Sequence, residues 1–385
     1  MPWKKSSVEA QRYELVTTLL LQREEVRVIC ARFGVSRQTA YKFLRRFKSD
    51  GKAGLRDRTR RPHKAPTEQA SYWRGRALRL RQSHPTWGGR KLRWLLERRF
   101  GNRSKTLPSE RTLQRWLASA GLLRRVTRRR RVHALVGIRC SCARRSNAVW
   151  TFDLKGWFCT GDGSKIEPLT IRDLWSRFVL WVHPLAPRSE AAVRRVCQRL
   201  FRRHGLPRVI RCDRGAPFFG DGPHGFTRLS LWWWRLGIKV EFVRRGAINN
   251  NAHEQMHGVL KKELAIAHTA RRQAHLLERW RRSYNEQRPH EKLGMRLPAS
   301  CYRSHPAPLP KLKLPRYPQG SQVCRVQTDG RIAVHNWRGS IGRAFGHLRI
   351  GLIPAGPRRY RVYFGKLYLG ALDLNAGSKL SIEPY

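Results

Sequence analysis

The sequence predicts a multidomain chain: an α-helical helix-turn-helix region first, an α/β core on a mixed sheet next, and a small β-barrel-like domain last. Three observations predict it. Apolar residues recur at helical spacing as far as residue 123 and switch to strand spacing near Asn147. They return as short alternating runs beyond the Pro-rich stretch SHPAPLPKLKLPRYPQG (304–320). The length of 385 residues exceeds one ordinary domain. The expected divisions are 1–60, 61–135 and 140–303, then the linker 304–320 and the segment 321–385.

The N-terminal elements follow from spacing and caps. VRVICARF (26–33) places Val26, Val28, Ile29 and Phe33 at helical intervals. Gly34 can turn the chain, Ser36 is a good N-cap, and a second helix is expected from Arg37 to Phe47. Arg37, Gln38, Thr39, Lys42 and Arg46 would form its exposed face, able to reach base edges or phosphates. DGKAGLRDRTRRPHKAP (50–66) reads as a basic linker. HPTWGGRKLRWLLERRFG (84–101) and LPSERTLQRWLASAGLL (107–123) repeat the pattern, with Ser109 as cap, and predict a second helix-turn-helix. Its contact residues would be Arg111, Gln114 and Arg115. RRVTRRRR (124–131), which includes Arg128, Arg129, Arg130 and Arg131, is expected to track phosphate as a basic arm.

The core elements come next. VWTFDLKGWF (149–158) alternates, and EPLTIRDLWSRFVLWVHPL (167–185) supplies two more apolar runs around a turn. SEAAVRRVCQRLFRRHG (189–205) predicts a helix capped by Ser189 and closed by Gly205. LPRVIRCD (206–213) and IKVEFV (238–243) are strands flanking a helix that contains LSLWWWRLG (229–237), and a long helix is expected from the asparagines at 249–251. Three antiparallel strands followed by alternating helix and strand make an α/β layout with a mixed five-stranded sheet. In the last segment, VCRVQTDGRIAVH (323–335) carries an Asp-Gly turn and RYRVYFGKLYLGALDL (359–374) a hairpin around Gly365, which suit a small barrel.

Charge narrows the partners. The chain has 81 Lys and Arg against 25 Asp and Glu, a net +56. Such an excess repels itself without a polyanion, and DNA or RNA is the natural counterpart. No export signal and no apolar run of about 18–20 residues predict a membrane location. The eight cysteines are scattered without C-x-x-C, which suits reduced thiols in a cytosol.

Acidic residues are scarce, so those with apolar neighbours are informative. Asp153 lies within the strand VWTFDLKG, Asp213 ends the strand VIRCD, and Glu254 opens the helix after the last strand, 60 and 41 residues apart. Strand ends are where α/β sheets build sites, and three carboxylates suit hard divalent cations serving phosphoryl transfer. Asp173 is a rival better read as structural. Asp162, Asp221 and Glu263 lie in loop or late-helix contexts. HEQMH (253–257) also matches H-E-x-x-H, the zinc-peptidase helix, for which Glu278 would be the third ligand.

The stretches WTFDLKGWF, LTIRDLWSRFVL, RCDRGAPF, NNNAHEQMHGVLKKEL and YNEQRPHEKLGMRLPASCY, with CARFGVSRQTAYKF and GLRDRTRRPH upstream, resemble insertion-sequence transposases. Those proteins carry a retroviral-integrase-like DDE core on a ribonuclease-H-like fold. The resemblance spans about 1–303. It implies that Asp153, Asp213 and Glu254 are catalytic and hold two Mg²⁺ ions, with Mn²⁺ able to substitute. It implies that Lys261 contacts the element's end from the Glu254 face, with His257 and Arg214 as neighbours of the site. Arg214 stands where the family usually has Asn, and Asn251 where it has Gly. A homo-oligomer on terminal inverted repeats and target DNA, in the bacterial cytoplasm at the nucleoid, is the implied setting. Two other readings are a DNA-binding regulator with an inactive core and the zinc peptidase.

Overall fold

The computed structural model describes residues 7–58, 67–101, 107–123, 140–243, 253–312 and 315–375. The basic arm with Arg128, Arg129, Arg130 and Arg131, and the asparagines at 249–251, lie outside the described residues. The chain forms two compact units, 1–68 and 69–385.

The first unit holds α1 (Val8–Leu20), α2 (Val26–Arg32) and α3 (Arg37–Asp50). Leu15, Leu19, Ile29, Cys30 and Ala40 form one apolar cluster, and Val16, Phe43 and Leu55 another. Gly34 makes the turn between α2 and α3 at φ +61°, a conformation that costs a residue with Cβ. Ser36 Oγ then accepts from Thr39 N at 3.2 Å, capping α3 as its sequence predicts.

In the second unit, α4 (Thr67–Ser83), α5 (Gly89–Arg99) and α6 (Glu110–Ser119) pack around Trp73, Ala77, Leu80, Trp87, Leu92, Leu96, Leu113 and Leu117. Ser109 Oγ accepts from Thr112 N at 3.2 Å. The buried Arg81 guanidinium donates to the Trp87 carbonyl, and to that of Leu122 at 2.8 Å, which ties α4 to the α4–α5 turn and to the chain just beyond α6.

The central sheet comprises β1 (Val149–Leu154), β4 (Pro168–Asp173), β5 (Val179–Pro184), β6 (Val209–Asp213) and β7 (Lys239–Val243), in the order β5-β4-β1-β6-β7. The small hairpin β2 (Phe158–Cys159) and β3 (Lys165–Ile166) branches from it. β4 runs antiparallel to β1 and β5, whereas β1, β6 and β7 are parallel, so the sheet is mixed and five-stranded as expected. Strand side chains alternate between faces. Trp150, Phe152, Leu169, Ile171, Ile210 and Cys212 enter one core with α7 (Glu190–His204) and α8 (Arg228–Arg235). Beside the sheet, α9 (His253–Glu263) and α10 (Ala270–Glu286) pack Met256, Leu260, Leu277, Trp280 and Tyr284 against Val179 and Val182. The short α11 (Pro298–Cys301) follows.

Beyond it, β8 (Gln322–Arg325), β11 (Arg349–Gly356), β12 (Arg359–Phe364) and β13 (Leu367–Asp373) form a sheet ordered β13-β12-β11-β8, while β9 (Arg331–Val334) pairs with β10 (Trp337–Ser340). The Gly365 hairpin is present as β12–β13. The expected barrel is not: among the described residues the strands make one four-stranded and one two-stranded sheet, with no closed ring. The strands flanking the Asp-Gly turn are the reason. They take other partners, β8 pairing with β11 and β9 with β10. No described helix is long and apolar enough to cross a membrane.

Candidate active site

The β1–β6 register pairs Val149 with Val209, Trp150 with Ile210 and Thr151 with Arg211. Asp153 and Asp213 lie two residues beyond that last pair, so continuing the parallel register sets them level on neighbouring strands. Both are on the face opposite Phe152 and Cys212. The two carboxylates register together on the buried Cys212 thiol, whose pKa burial raises first and the charges of Asp213 and Asp153 raise further. Asp213 lies half-buried over Gly215, where a Cβ would stand 3.0 Å from Oδ2 and 3.2 Å from Oδ1. A side chain there would press on the carboxylate, which would have to give by a few tenths of an ångström. Arg214 is exposed and stacks over the Phe219 ring at 5.6 Å.

On the other side of Asp153, the antiparallel register sets Thr170 directly opposite. The Thr170 hydroxyl donates to the Asp153 carbonyl at 3.0 Å. It also lies 3.1 Å from His253 Nδ1 and 2.9 Å from His257 Nε2. His257 Nδ1 is 3.7 Å from Asp153 Oδ2. One turn apart on α9, the two imidazoles therefore face the sheet. Burial, then Lys155 and Arg172, lowers the His257 pKa to about 4. His253 is lowered well below its ordinary value, by burial first and then His257 and Arg172. Both imidazoles are neutral at pH 7.

Glu254 is exposed in the first turn of α9, and Lys261 is exposed nearly two turns on. Burial, then the charge of Lys261, lowers the Lys155 pKa, so these two cations lie near each other beyond the end of β1. Trp157, in the loop after β1, is 62% exposed with Lys165 Nζ 4.0 Å over its ring.

Asp173, Glu263 and Glu278 have structural partners instead. Asp173, fully buried, accepts from Asn147 N at 2.9 Å, Ser176 N at 2.8 Å and Ser176 Oγ at 2.6 Å. Glu263 accepts from Arg288 Nη1 at 2.5 Å, from Trp280 Nε1 at 3.0 Å and from the Thr86 hydroxyl. Glu278, the expected third zinc ligand of the peptidase reading, is not brought to the histidines. It lies on α10 and accepts from Arg281 Nε and Nη2, each at 2.7 Å, and from Arg282 Nε at 3.1 Å. The third group beside His253 and His257 is instead Asp153, with the three ligand atoms within 4.8 Å of one another. Sequence spacing had no means of pairing a histidine with a carboxylate 100 residues upstream, nor of finding Thr170 between them.

Among the nucleic-acid residues, Arg37, Gln38 and Lys42 are exposed on α3, while Thr39 and Arg46 are half-buried. Thr39 Oγ1 is 3.0 Å from Ser36 Oγ, and Arg46 lies over the Phe43 ring at 5.8 Å. Arg111, Gln114 and Arg115 are exposed on α6, although Gln114 Cγ packs close to Gly89 at the start of α5.

Comparison with known proteins agrees with this layout. A family described as "Helix-turn-helix domain" matches residues 11–63, "Homeodomain-like domain" matches 39–117, and "Integrase core domain" matches 236–298. The chain thus combines helix-turn-helix domains, which imply DNA binding, with an integrase core. It is homologous to insertion-element proteins, and this make-up is consistent with an insertion-sequence transposase. One relative is the "Insertion element IS407 uncharacterized 31.7 kDa protein" of Burkholderia multivorans, 25% identical over 63% of this chain and 84% of its own length. Another is the "Insertion element IS476 uncharacterized 39.2 kDa protein" of Xanthomonas euvesicatoria, 28% identical over 66% of this chain and 72% of its own length. Among solved structures, the simian T-cell lymphotropic virus intasome in complex with PP2A regulatory subunit B56 gamma matches at 15% identity and TM-score 0.34, over 71% of this chain and 98% of its own. The HTLV-2 integrase catalytic core, solved in complex with magnesium, matches at 12% identity and TM-score 0.30, over 43% of this chain and 100% of its own.

Proposed function

We propose that the protein binds the terminal inverted repeats of a mobile element, cuts strands at its ends with water, and joins each freed 3′-hydroxyl to target DNA. The observation that carries the reading is the β1–β6 register, whose continuation by two residues brings Asp153 and Asp213 level on one sheet face, with Glu254 opening a helix whose histidines reach that face.

The donor set fits a hard cation, because carboxylate oxygens are what Mg²⁺ prefers. Asp153, Asp213 and Glu254 would hold two Mg²⁺ ions, or Mn²⁺ in their place. Bound there, the ions supply activation of the attacking oxygen and stabilisation of the leaving one. The chain's own residues do the rest. Lys261 and Lys155 put positive charge beside the carboxylates, where a phosphate must sit. Arg37, Gln38, Thr39, Lys42 and Arg46 of residues 1–60, and Arg111, Gln114, Arg115 and the Arg128–Arg131 arm of 61–135, hold the element's end. Residues 140–303 act as the catalytic core, 304–320 as a linker and 321–385 as an accessory domain. Pairing two ends calls for a homo-oligomer on DNA, in the bacterial cytoplasm at the nucleoid. Homology to insertion-element proteins supports this reading.

The test is incubation with Mg²⁺ and labelled DNA carrying the genomic flanks of the gene. Cleavage at inverted repeats is expected. Tight binding without cleavage in either Mg²⁺ or Mn²⁺ would indicate the regulator with an inactive core instead.

A further inference from the structure

The hydrogen-bond roles around Thr170 define a second use for the same corner of the site. A threonine hydroxyl has one hydrogen and two lone pairs. The Thr170 hydrogen goes to the Asp153 carbonyl at 3.0 Å. The oxygen can then only accept, so the hydrogen shared with His257 Nε2 at 2.9 Å belongs to the imidazole. That sets the tautomer. His257 Nδ1 presents a lone pair, and it faces Asp153 Oδ2 at 3.7 Å. Two lone pairs opposed at this distance repel unless a cation lies between them.

A proton would need only one such pair, yet a third donor is present. His253, at i−4 on the same helix, brings its ring within 5.4 Å of the His257 ring, centroid to centroid. Asp153, His253 and His257 each offer a ligand atom within 4.8 Å of the other two, and among the described residues they are the one group of three that does. Tetrahedral zinc with bonds near 2.0–2.1 Å needs ligand atoms roughly 3.3 Å apart, a closure of about 1.5 Å or less from the 4.8 Å that bounds the group. Thr170 already supplies what a ligating histidine requires: an acceptor for the other ring N–H, which fixes its orientation.

We propose that Asp153, His253 and His257 form a site for a divalent transition metal, zinc above all. Two imidazoles and one carboxylate suit zinc and disfavour magnesium. Zinc held there takes Asp153 away from the carboxylate set, so the site acts as an off-switch for magnesium-dependent cleavage. That consequence rests on the function proposed above; the binding itself does not.

The test is titration of the metal-free full chain with Co²⁺, read by its visible absorption, followed by displacement with Zn²⁺. One Co²⁺ per chain is expected, without the near-ultraviolet bands of a thiolate ligand. His257→Gln should weaken zinc binding by about 100-fold or more and Thr170→Val by about tenfold, while Glu254→Gln binds as the wild type does. Thr170→Val keeps the test available if loss of His257 impairs folding. The site is overturned if the wild type binds no Co²⁺, if thiolate bands appear, or if Glu254→Gln loses zinc as fully as His257→Gln. In parallel, micromolar Zn²⁺ should stop Mg²⁺-dependent cleavage, and a chelator should restore it. If no cleavage occurs in Mg²⁺ alone, the proposed function fails while the Co²⁺ titration still decides the site.

Discussion

Thr170 faces Asp153 across the β1–β4 pair, and its hydroxyl joins the Asp153 backbone to two imidazoles on α9, at 3.0, 3.1 and 2.9 Å. One hydroxyl therefore ties the strand bearing the first carboxylate to the helix bearing Glu254. Thr170→Val keeps the shape and removes the hydroxyl. Cleavage should fall by about 10- to 100-fold, as for loss of other groups that orient ligands. Single-turnover cleavage beside a thermal melt checks this; an unchanged rate would show that the linkage has no role in positioning.

The exposed face of α3 should behave as a DNA contact surface. Arg37→Ala and Lys42→Ala are each expected to weaken binding to the element's end. A residue contacting phosphate lowers the salt slope by about 1, whereas one reading a base relaxes specificity at that position. Binding isotherms at several salt concentrations distinguish the two. An unchanged affinity in both variants would remove α3 from the interface.

Glu263 is predicted to matter for stability rather than chemistry. Its carboxylate receives Arg288, Trp280 and Thr86, and the Arg288 side chain is only 6% exposed. Glu263→Ala would leave that buried guanidinium without its carboxylate. A loss of about 3 kcal/mol is expected. Chemical denaturation measures it, and a change under about 0.5 kcal/mol, the size of an ordinary surface substitution, would contradict the assignment.

Stability should also depend on pH through His204 and His290. Burial, then Arg203, lowers the His204 pKa to about 4; burial, then Lys91, lowers that of His290 to about 3. Unfolded, both titrate near 6.5, at about the ordinary value. Between that pH and about 4 the unfolded chain binds protons that the native one does not, so stability falls as pH drops through this window. Above about pH 7 the two residues contribute no slope. Denaturation at intervals from pH 5 to 8 should show the fall below 6.5, these two protons contributing up to about 3 kcal/mol per unit and the lowered His253 and His257 adding to it in the same direction. A flat profile would contradict it.

Local features were legible in the sequence because local rules made them. Ser36, Ser109 and Ser189 cap the helices their spacing predicted, and strand alternation located all five strands of the mixed sheet. Partner choice was not legible. The Asp-Gly turn at 329–330 looked like a hairpin, yet its flanks pair with strands met later in the chain, as β8 with β11 and β9 with β10. The same limit applied at the site. HEQMH gave two histidines one turn apart, but which carboxylate meets them depends on the β1–β4 register and on the face α9 presents. Glu278 was a choice by sequence distance, and its arginine neighbours at i+3 and i+4 hold it elsewhere.

The most direct test of the central claim, that Asp153, Asp213 and Glu254 act as one set, is cleavage of labelled element ends in Mg²⁺ by Asp153→Asn, Asp213→Asn and Glu254→Gln. Each substitution keeps the side chain's size and removes its charge. All three variants should bind the DNA as the wild type does, and each should lose cleavage and strand transfer by about 1,000-fold or more, a barrier increase of about 4 kcal/mol. Wild-type cleavage by any one of them would contradict the claim for that carboxylate, and near-normal cleavage by Asp213→Asn would break the pairing inferred from the β1–β6 register.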